Sequence, residues 1–375
     1  MTKNVINAGF ANILIAVVAP LFIAIGVLMS WQFGGKAAED MALDKNTKSV
    51  FLKYQEKNVH CSTNLVIDLC FDDYKGDIRN SYSIINFGNS QQHAINQYEL
   101  GDETASKIIH RELRGDRVWI TTYSQPNVNL QEHYFIYKLI EAKYKPKAII
   151  LPVFFDDLRE TGIRTSLLDA LVVENNVDLL MNDEYGKKLL RRYGEKNKNP
   201  KDLSGLDQTL QQRVEAYLDG YLADSFEIWA KRPQIRSDLF SFLYQARNFV
   251  FQIDPSSVRR EIPINKYDNI EALSSLLKDA QSRNINVFLY IPPIRNDRPI
   301  PYNLNDYMQF KINISSLAGR YSANFRDFDA LIPGQLWGTP DINTGEVDYM
   351  HFRGPGHKIL ADSIIKWLHE DLRAQ

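Results

Sequence analysis

Cysteine is scarce in this chain, with two in 375 residues, and no Cys-x-x-Cys pair occurs, which removes the metal and redox motifs built on that spacing. An excess of either charge is lacking too: 44 basic against 46 acidic side chains leave a formal net charge of −2. That balance argues against nucleic acid as a partner, because domains that neutralise phosphate backbones carry a basic surplus. Neither a P-loop nor a Gly-x-Gly-x-x-Gly pattern is present, so the common nucleotide cradles are missing. A composition of 44% hydrophobic residues and a mean hydropathy of −0.32 exclude disordered, collagen-like and disulfide-scaffold classes, and also a polytopic membrane protein.

Long apolar runs are absent but for one. Every residue from Asn4 to Gly35 is uncharged, and Phe10 to Met29 is almost wholly apolar. At about 1.5 Å per residue such a run covers roughly 30 Å, the hydrocarbon thickness of a bilayer. It is longer than a signal-peptide core and continues into Trp31 and Phe33, placed as interfacial aromatics, so residues 1–35 are expected to be an uncleaved transmembrane helix. The positive-inside count puts the amino terminus in the cytoplasm and the body outside it. Residues 36–80 are expected to form a helical stalk and then a cysteine-bearing segment, in which Cys61 and Cys70 could close a small loop in an oxidising compartment or remain two buried thiols.

From residue 81 short Ile-, Val- and Phe-rich runs alternate with helix-period segments, which predicts a parallel sheet covered by helices on both faces. The expected strands are Tyr82–Phe87, Arg117–Tyr123, Ala148–Phe155, Asn286–Ile291 and Phe325–Leu331. Helices are expected over Gln92–Leu113, Asn129–Lys143, Ile270–Ser282, Leu304–Tyr321 and Pro355–Leu372. Residues 158–267 show no strand pattern and read as a helical insertion, with helices over Gln208–Lys231 and Leu239–Ile253.

Two short segments carry the chemistry. Phe87-Gly88-Asn89-Ser90 places a serine at the carboxyl end of a parallel strand, where open α/β folds bind ligands, with Gly88 permitting the turn. Asp348-Tyr349-Met350-His351, just before the last helix, can supply both a base for that serine and an acid to orient the base. His93, one helical turn beyond Ser90, reads as a surface helix position. Asp156, Asp157, Arg159 and Arg164 after the third strand, and Arg295 and Arg298 after the fourth, form charged clusters. Arg295 would suit an anionic or hydroxyl-rich substrate, or else pair with the aspartates. A metal site from Asp348, His351 and His357 has no further ligand cluster behind it, so neither metal nor cofactor is expected.

The arrangement Gly88-Asn89-Ser90 and Asp348-x-x-His351 resembles the SGNH (GDSL-like) hydrolase superfamily over about Tyr82 to Leu372, insertion excluded. The resemblance implies an α/β fold, an SGNH-like three-layer sandwich, with Ser90 as nucleophile, His351 as general base and Asp348 as its orienting acid. It also implies an oxyanion hole completed by a Gly after the second strand and an Asn after the third. Here the second strand runs into Tyr123-Ser124-Gln125-Pro126-Asn127 and the third into Phe155-Asp156-Asp157, so other donors are required. Gly88, Asn89, Gln91, Asn127, Asn129, Asp156 and Arg295 are the oxyanion or substrate candidates. The layout of anchor, insertion and Tyr290-Ile291-Pro292-Pro293-Ile294-Arg295 is similar to membrane-tethered SGNH proteins of envelope acylation, the DltD-like and alginate-acetylation types. That resemblance implies O-acyl transfer to an envelope polysaccharide or polymer beside a membrane-bound O-acyltransferase (MBOAT) partner. An envelope esterase, and an SGNH-fold adaptor without catalysis, are the alternative expectations.

Overall fold

In the computed structural model, residues 47–54, 57–62, 71, 75–114, 117–164, 167, 177–194, 258–338 and 347–374 are described. They belong to one unit formed by Asn46–Leu203 with Pro255–Gln375. The run at 10–29 and the helices expected over 208–231 and 239–253 lie outside the described residues. Among the described residues no helix is long and apolar enough to cross a membrane.

The strands used below are β1 (Thr47–Ser49), β2 (His60–Cys61), β3 (Tyr82–Gly88), β4 (Ala94–Asn96), β5 (Val118–Ser124), β6 (Ala148–Pro152), β7 (Asn286–Ile291) and β8 (Asn324–Asp327). The helices are α1 (Ala105–Leu113), α2 (Leu130–Tyr144), α3 (Glu184–Gly194), α4 (Pro263–Ser282), α5 (Leu304–Arg320) and α6 (Gly354–Ala374). Six strands form one sheet in the order β8-β7-β6-β3-β5-β2, every neighbouring pair parallel. Their β-branched and aromatic residues suit a sheet buried on both sides. Alternate residues serve the two faces. Ile85, Phe87, Ile149, Leu151 and Leu289 pack with α2, α4 and α5, whereas Ile84, Ile120, Ile150 and Phe288 pack with α1 and α6. The result is three layers, helices over both faces of a parallel sheet.

Parallel strands place all their carboxyl ends on one edge, which is why loops distant in sequence converge there. β3 is central, with β5 on one side and β6 on the other. The turn after β3 therefore lies amid the loops from its neighbours.

Several expectations need correction. The helix expected from Gln92 begins only at Ala105, because the chain first makes a 3-10 turn at Ser90–Gln92 and then strand β4, which pairs antiparallel with β1. Gly101, at φ +102°, turns the chain again, and the Thr104 hydroxyl caps α1 by accepting the Lys107 N–H. The strand expected to reach Phe155 stops at Pro152, and Asp157 folds back to accept the Phe154 N–H at 2.8 Å. The described end of the stretch read as a stalk is extended chain, β1 and a short pairing of Lys53–Tyr54 with Lys57–Asn58, and the cysteine-bearing segment after it supplies edge strand β2 of the main sheet. Cys61, in β2, is buried and disulfide-bonded, and no cysteine is free among the described residues. α4 starts at Pro263, seven residues before the expected Ile270, with proline in the first turn where its missing N–H costs nothing.

Asn269, fully buried on α4, fastens the start of the insertion to the core. Its Oδ1 accepts the N–H groups of Leu130 and Gln131 at the α2 start, and its Nδ2 donates to the Glu160 and Asn265 carbonyls. Asn269→Ala leaves these groups buried without partners and should cost about 2–3 kcal/mol in urea unfolding. A change below about 0.5 kcal/mol, the range of a neutral surface substitution, would contradict this role.

Candidate active site

Ser90, His351 and Asp348 form one hydrogen-bonded line at the carboxyl edge of the sheet. Ser90 Oγ lies 2.9 Å from His351 Nε2, and His351 Nδ1 lies 2.9 Å from Asp348 Oδ2. Because an ionised carboxylate only accepts, the Nδ1 nitrogen carries the proton toward Asp348, leaving Nε2 as acceptor for the serine hydroxyl. All three residues are half-buried, so the site is open to a substrate.

Local sequence builds each part. Gly88 is required by close approach: a Cβ there would lie 2.1 Å from Gln92 Cγ. Asn89 caps the turn, its Oδ1 accepting the Gln91 N–H at 2.9 Å. Gln91, fully buried, donates from Nε2 to the Pro293 carbonyl at 2.9 Å and the Met350 carbonyl at 2.8 Å. The serine turn is thus tied to the loop after β7 and to the segment carrying His351. Beneath it, Asn86 Nδ2 lies within hydrogen-bond distance of Gln92 Oε1, Ser106 Oγ and Thr122 Oγ1, which share its two N–H groups, while Gln92 donates to the Tyr290 hydroxyl.

Asp348 is held by more than the histidine. Its Oδ1 accepts the Met350 and His351 N–H groups at 2.8 and 2.9 Å, and Oδ2 accepts Asn96 Nδ2 at 3.1 Å. Burial works to raise this carboxyl, but the His351 charge and hydrogen bond and the Met350 and His351 backbone donors outweigh it and hold it below the ordinary carboxylate value. His357 is no metal ligand in this arrangement: Nδ1 accepts the Ala105 N–H, and Nε2 donates to the Ala94 carbonyl. Burial keeps it neutral, with a pKa lowered to about 3. Among the described residues no cluster of three metal-ligating side chains occurs.

Other candidates are engaged elsewhere. Arg295 is almost fully buried, its Nε and Nη2 on the Asp297 carboxylate and its Nη1 on the Gly338 carbonyl, so its fork is occupied. Asn129 is the N-cap of α2 in a reciprocal capping box with Glu132, and its Nδ2 donates to Gly162. Asn127 is an exposed left-handed turn residue, φ +50°, whose carbonyl faces Arg164. Arg164 in turn grips Glu132 through Nε and Nη2. Asp156 pairs with Arg159 and Arg259 and accepts the Tyr302 hydroxyl, so it has no proton to give an oxyanion. Asp157 is buried, and burial first, then the charges of Asp156 and Glu160, push its carboxyl well above the usual range. The donor that connectivity guarantees beside the reacting carbon is the Ser90 backbone N–H.

Sequence reasoning missed Asn96, Ser124 and His60, and it misplaced His93. His93 is buried, its Nδ1 2.7 Å from Ser124 Oγ, and His60 Nε2 lies 2.6 Å from the same oxygen. Nothing in the spacing of these residues announces the cluster, since β2 and β4 were not legible as strands.

No family model matches the chain, and no curated protein matches it. Solved structures do resemble it. An α/β hydrolase from the Lake Arreo metagenome is 9% identical, with a TM-score of 0.39, covering 76% of this chain and 94% of its own. A GDSL-like lipase from Bacteroides thetaiotaomicron is 8% identical, TM-score 0.36, covering 80% and 98%. An acetylxylan esterase from Geobacillus stearothermophilus, as a catalytic mutant, is 10% identical, TM-score 0.35, covering 76% and 93%. At these scores the likeness decides neither substrate nor reaction, and the chemistry rests on the geometry above.

Gly88→Ala should displace the Ser90 turn, costing about 1–3 kcal/mol in thermal unfolding through overpacking. Activity should fall with it; unchanged melting and activity would show that the turn has room. Asp348→Asn should keep the shape but favour the wrong His351 tautomer, lowering kcat by about 10³–10⁴-fold. Since the Asp348 carboxyl is depressed on folding, its contribution is full above the ordinary carboxylate range and is lost as pH falls through the folded value. The stability gap between wild type and Asp348→Asn should therefore narrow at the acid end of a pH series, and a gap constant in pH would contradict it.

Proposed function

We propose that this chain is a serine enzyme of SGNH type that moves an acyl group through Ser90, on a surface beside a cell membrane. The observation that carries this reading is the Ser90–His351–Asp348 line of 2.9 Å hydrogen bonds. Ser90 Oγ attacks the acyl carbonyl while its proton passes to His351 Nε2. The tetrahedral intermediate collapses as His351 returns that proton to the leaving oxygen, leaving an acyl ester on Ser90. An incoming hydroxyl then loses its proton to His351, attacks the ester carbon and departs with the acyl group, and the proton returns to Ser90 Oγ.

Transfer to a hydroxyl of an envelope polysaccharide or polymer is the finer reading. The apolar run from Phe10 to Met29 supports a place at the bilayer, and the resemblance of the layout to DltD-like and alginate-acetylation proteins supports an MBOAT partner that delivers the acyl group. An oxidising, extracytoplasmic location accords with the disulfide at Cys61. Hydrolysis is the second reading, favoured by the half-buried triad, which water can reach.

Ser90→Ala should abolish release from an activated acetyl ester, by about 10³-fold or more. In the producing cell it should also abolish acylation of the envelope polymer at normal protein level. Unchanged acylation would overturn the nucleophile assignment. Adding a polyol or glycan acceptor to wild type separates the two readings: acyl-acceptor product formed at the expense of free acid supports transfer, and free acid alone supports an esterase.

A further inference from the structure

The cluster beside the triad has a fixed proton order. Ser124 is fully buried at the end of β5, paired in register with Gly88 on β3, and the Gly88 carbonyl accepts the Gln125 N–H. His60 Nε2 and His93 Nδ1 both lie within hydrogen-bond distance of Ser124 Oγ, at 2.6 and 2.7 Å. Among the described residues Ser124 Oγ has no third partner to take its one proton, so one imidazole accepts that proton and the other donates. His60 Nδ1 settles which: it is buried with no partner among the described residues. If Ser124 donated to His60, that nitrogen would carry a buried N–H with nowhere to go, and an orphaned donor is the rarer and costlier case. His60 Nε2–H therefore donates to Ser124, and Ser124 O–H donates to His93 Nδ1. His93 is left with its proton on Nε2, an atom that has no partner among the described residues.

This nitrogen belongs to the nucleophile's own turn. The His93 backbone N–H donates to the Ser90 carbonyl at 3.0 Å, closing the 3-10 turn that Ser90 opens. The ring is held neutral by burial first, and then by the charges of His60, His351 and His357, and because side chains three apart in a 3-10 turn eclipse, the His93 ring lies on the face of the turn that carries Ser90. Phe51 stacks on one ring face, centroids 4.9 Å apart, which fixes the plane. Of the side chains expected around Ser90, Gln91, Asn129 and Arg295 have committed their donors, Asp156 has none, Asn127 is exposed, and Asn89 is held as the cap of the turn through its Oδ1.

We propose that His93 is a further catalytic residue, a neutral imidazole whose Nε2–H donates to the oxygen of the acyl group as negative charge develops on it. Ser124 and His60 are positioning residues that set its tautomer. The inference rests on the Ser90 acyl-enzyme reading and supplies the donor missing from the oxyanion hole. No proton leaves His93: it stabilises charge, and the proton transfers remain with His351.

Two amide substitutions separate donation from positioning. Gln places its amide nitrogen near the position of Nε2, and Asn places its amide near Nδ1. With p-nitrophenyl acetate as probe on the full chain, His93→Asn should lower kcat about 100-fold, the usual loss for one oxyanion donor, with KM within about threefold. His93→Gln should lose about tenfold or less. The reverse ranking, or equal losses, would overturn the proposal and leave His93 as a structural clamp. Should a variant fail to fold, ¹⁵N spectra of the wild-type imidazoles decide: a neutral Nε2–H ring at His93 supports the proposal, and an Nδ1–H ring or an imidazolium overturns it. Absence of a p-nitrophenol burst in wild type would instead remove the acyl-enzyme reading, and the inference with it.

Discussion

The buried Gln91 amide is the contact on which the site depends. Its two N–H groups reach the Pro293 and Met350 carbonyls, 202 and 259 residues away in sequence. They tie the serine turn to the loop after β7 and to the loop bearing His351, two loops that the Arg295 N–H to Tyr349 carbonyl bond also joins to each other. A buried amide that loses one acceptor retains an unpaired donor, so the three loops hold one arrangement or lose it together. The nucleophile's geometry is therefore a consequence of core polar pairing more than of the Ser90–His351 bond itself.

Around this clamp the polar groups divide between two tasks. Asn89, Asn86, Gln92 and Asn96 shape the turn and the acid, while Arg295, Asn129 and Asp156 stabilise loops at the same edge. Residue type alone did not separate the tasks. Arginine and asparagine near a serine suggest substrate contact, yet Arg295 has Asp297 two residues away and Asn129 stands at a helix start, and each satisfies the nearer demand. Local pairing wins because it orders few atoms that are already close, whereas a substrate must be bound anew.

The parallel sheet was legible because its central strands are buried on both faces, so their apolar runs are continuous and hard to mistake. The triad was legible because each half sits in a short segment of recognisable chemistry, Gly88-Asn89-Ser90 and Asp348-x-x-His351. What escaped was short and polar. β2 is two residues long and β4 three, and both carry residues of the second cluster or its neighbours, His60 and Asn96. Strands of that length have no period to read, and their positions are set by pairing with β5 and β1. The helix expected at Gln92 failed for a related reason: the turn after Ser90 is fixed by side-chain bonds to distant loops, and the cap at Thr104 marks where helix period begins.

The central claim is that Ser90 Oγ is a nucleophile activated by His351. Treating the full chain with a fluorophosphonate and mapping the modified peptide by mass spectrometry tests it directly. The account predicts one adduct per chain, on Ser90, formed slowly or not at all in His351→Ala. An unmodified chain, or an adduct on another serine while Ser90 stays free, would contradict it.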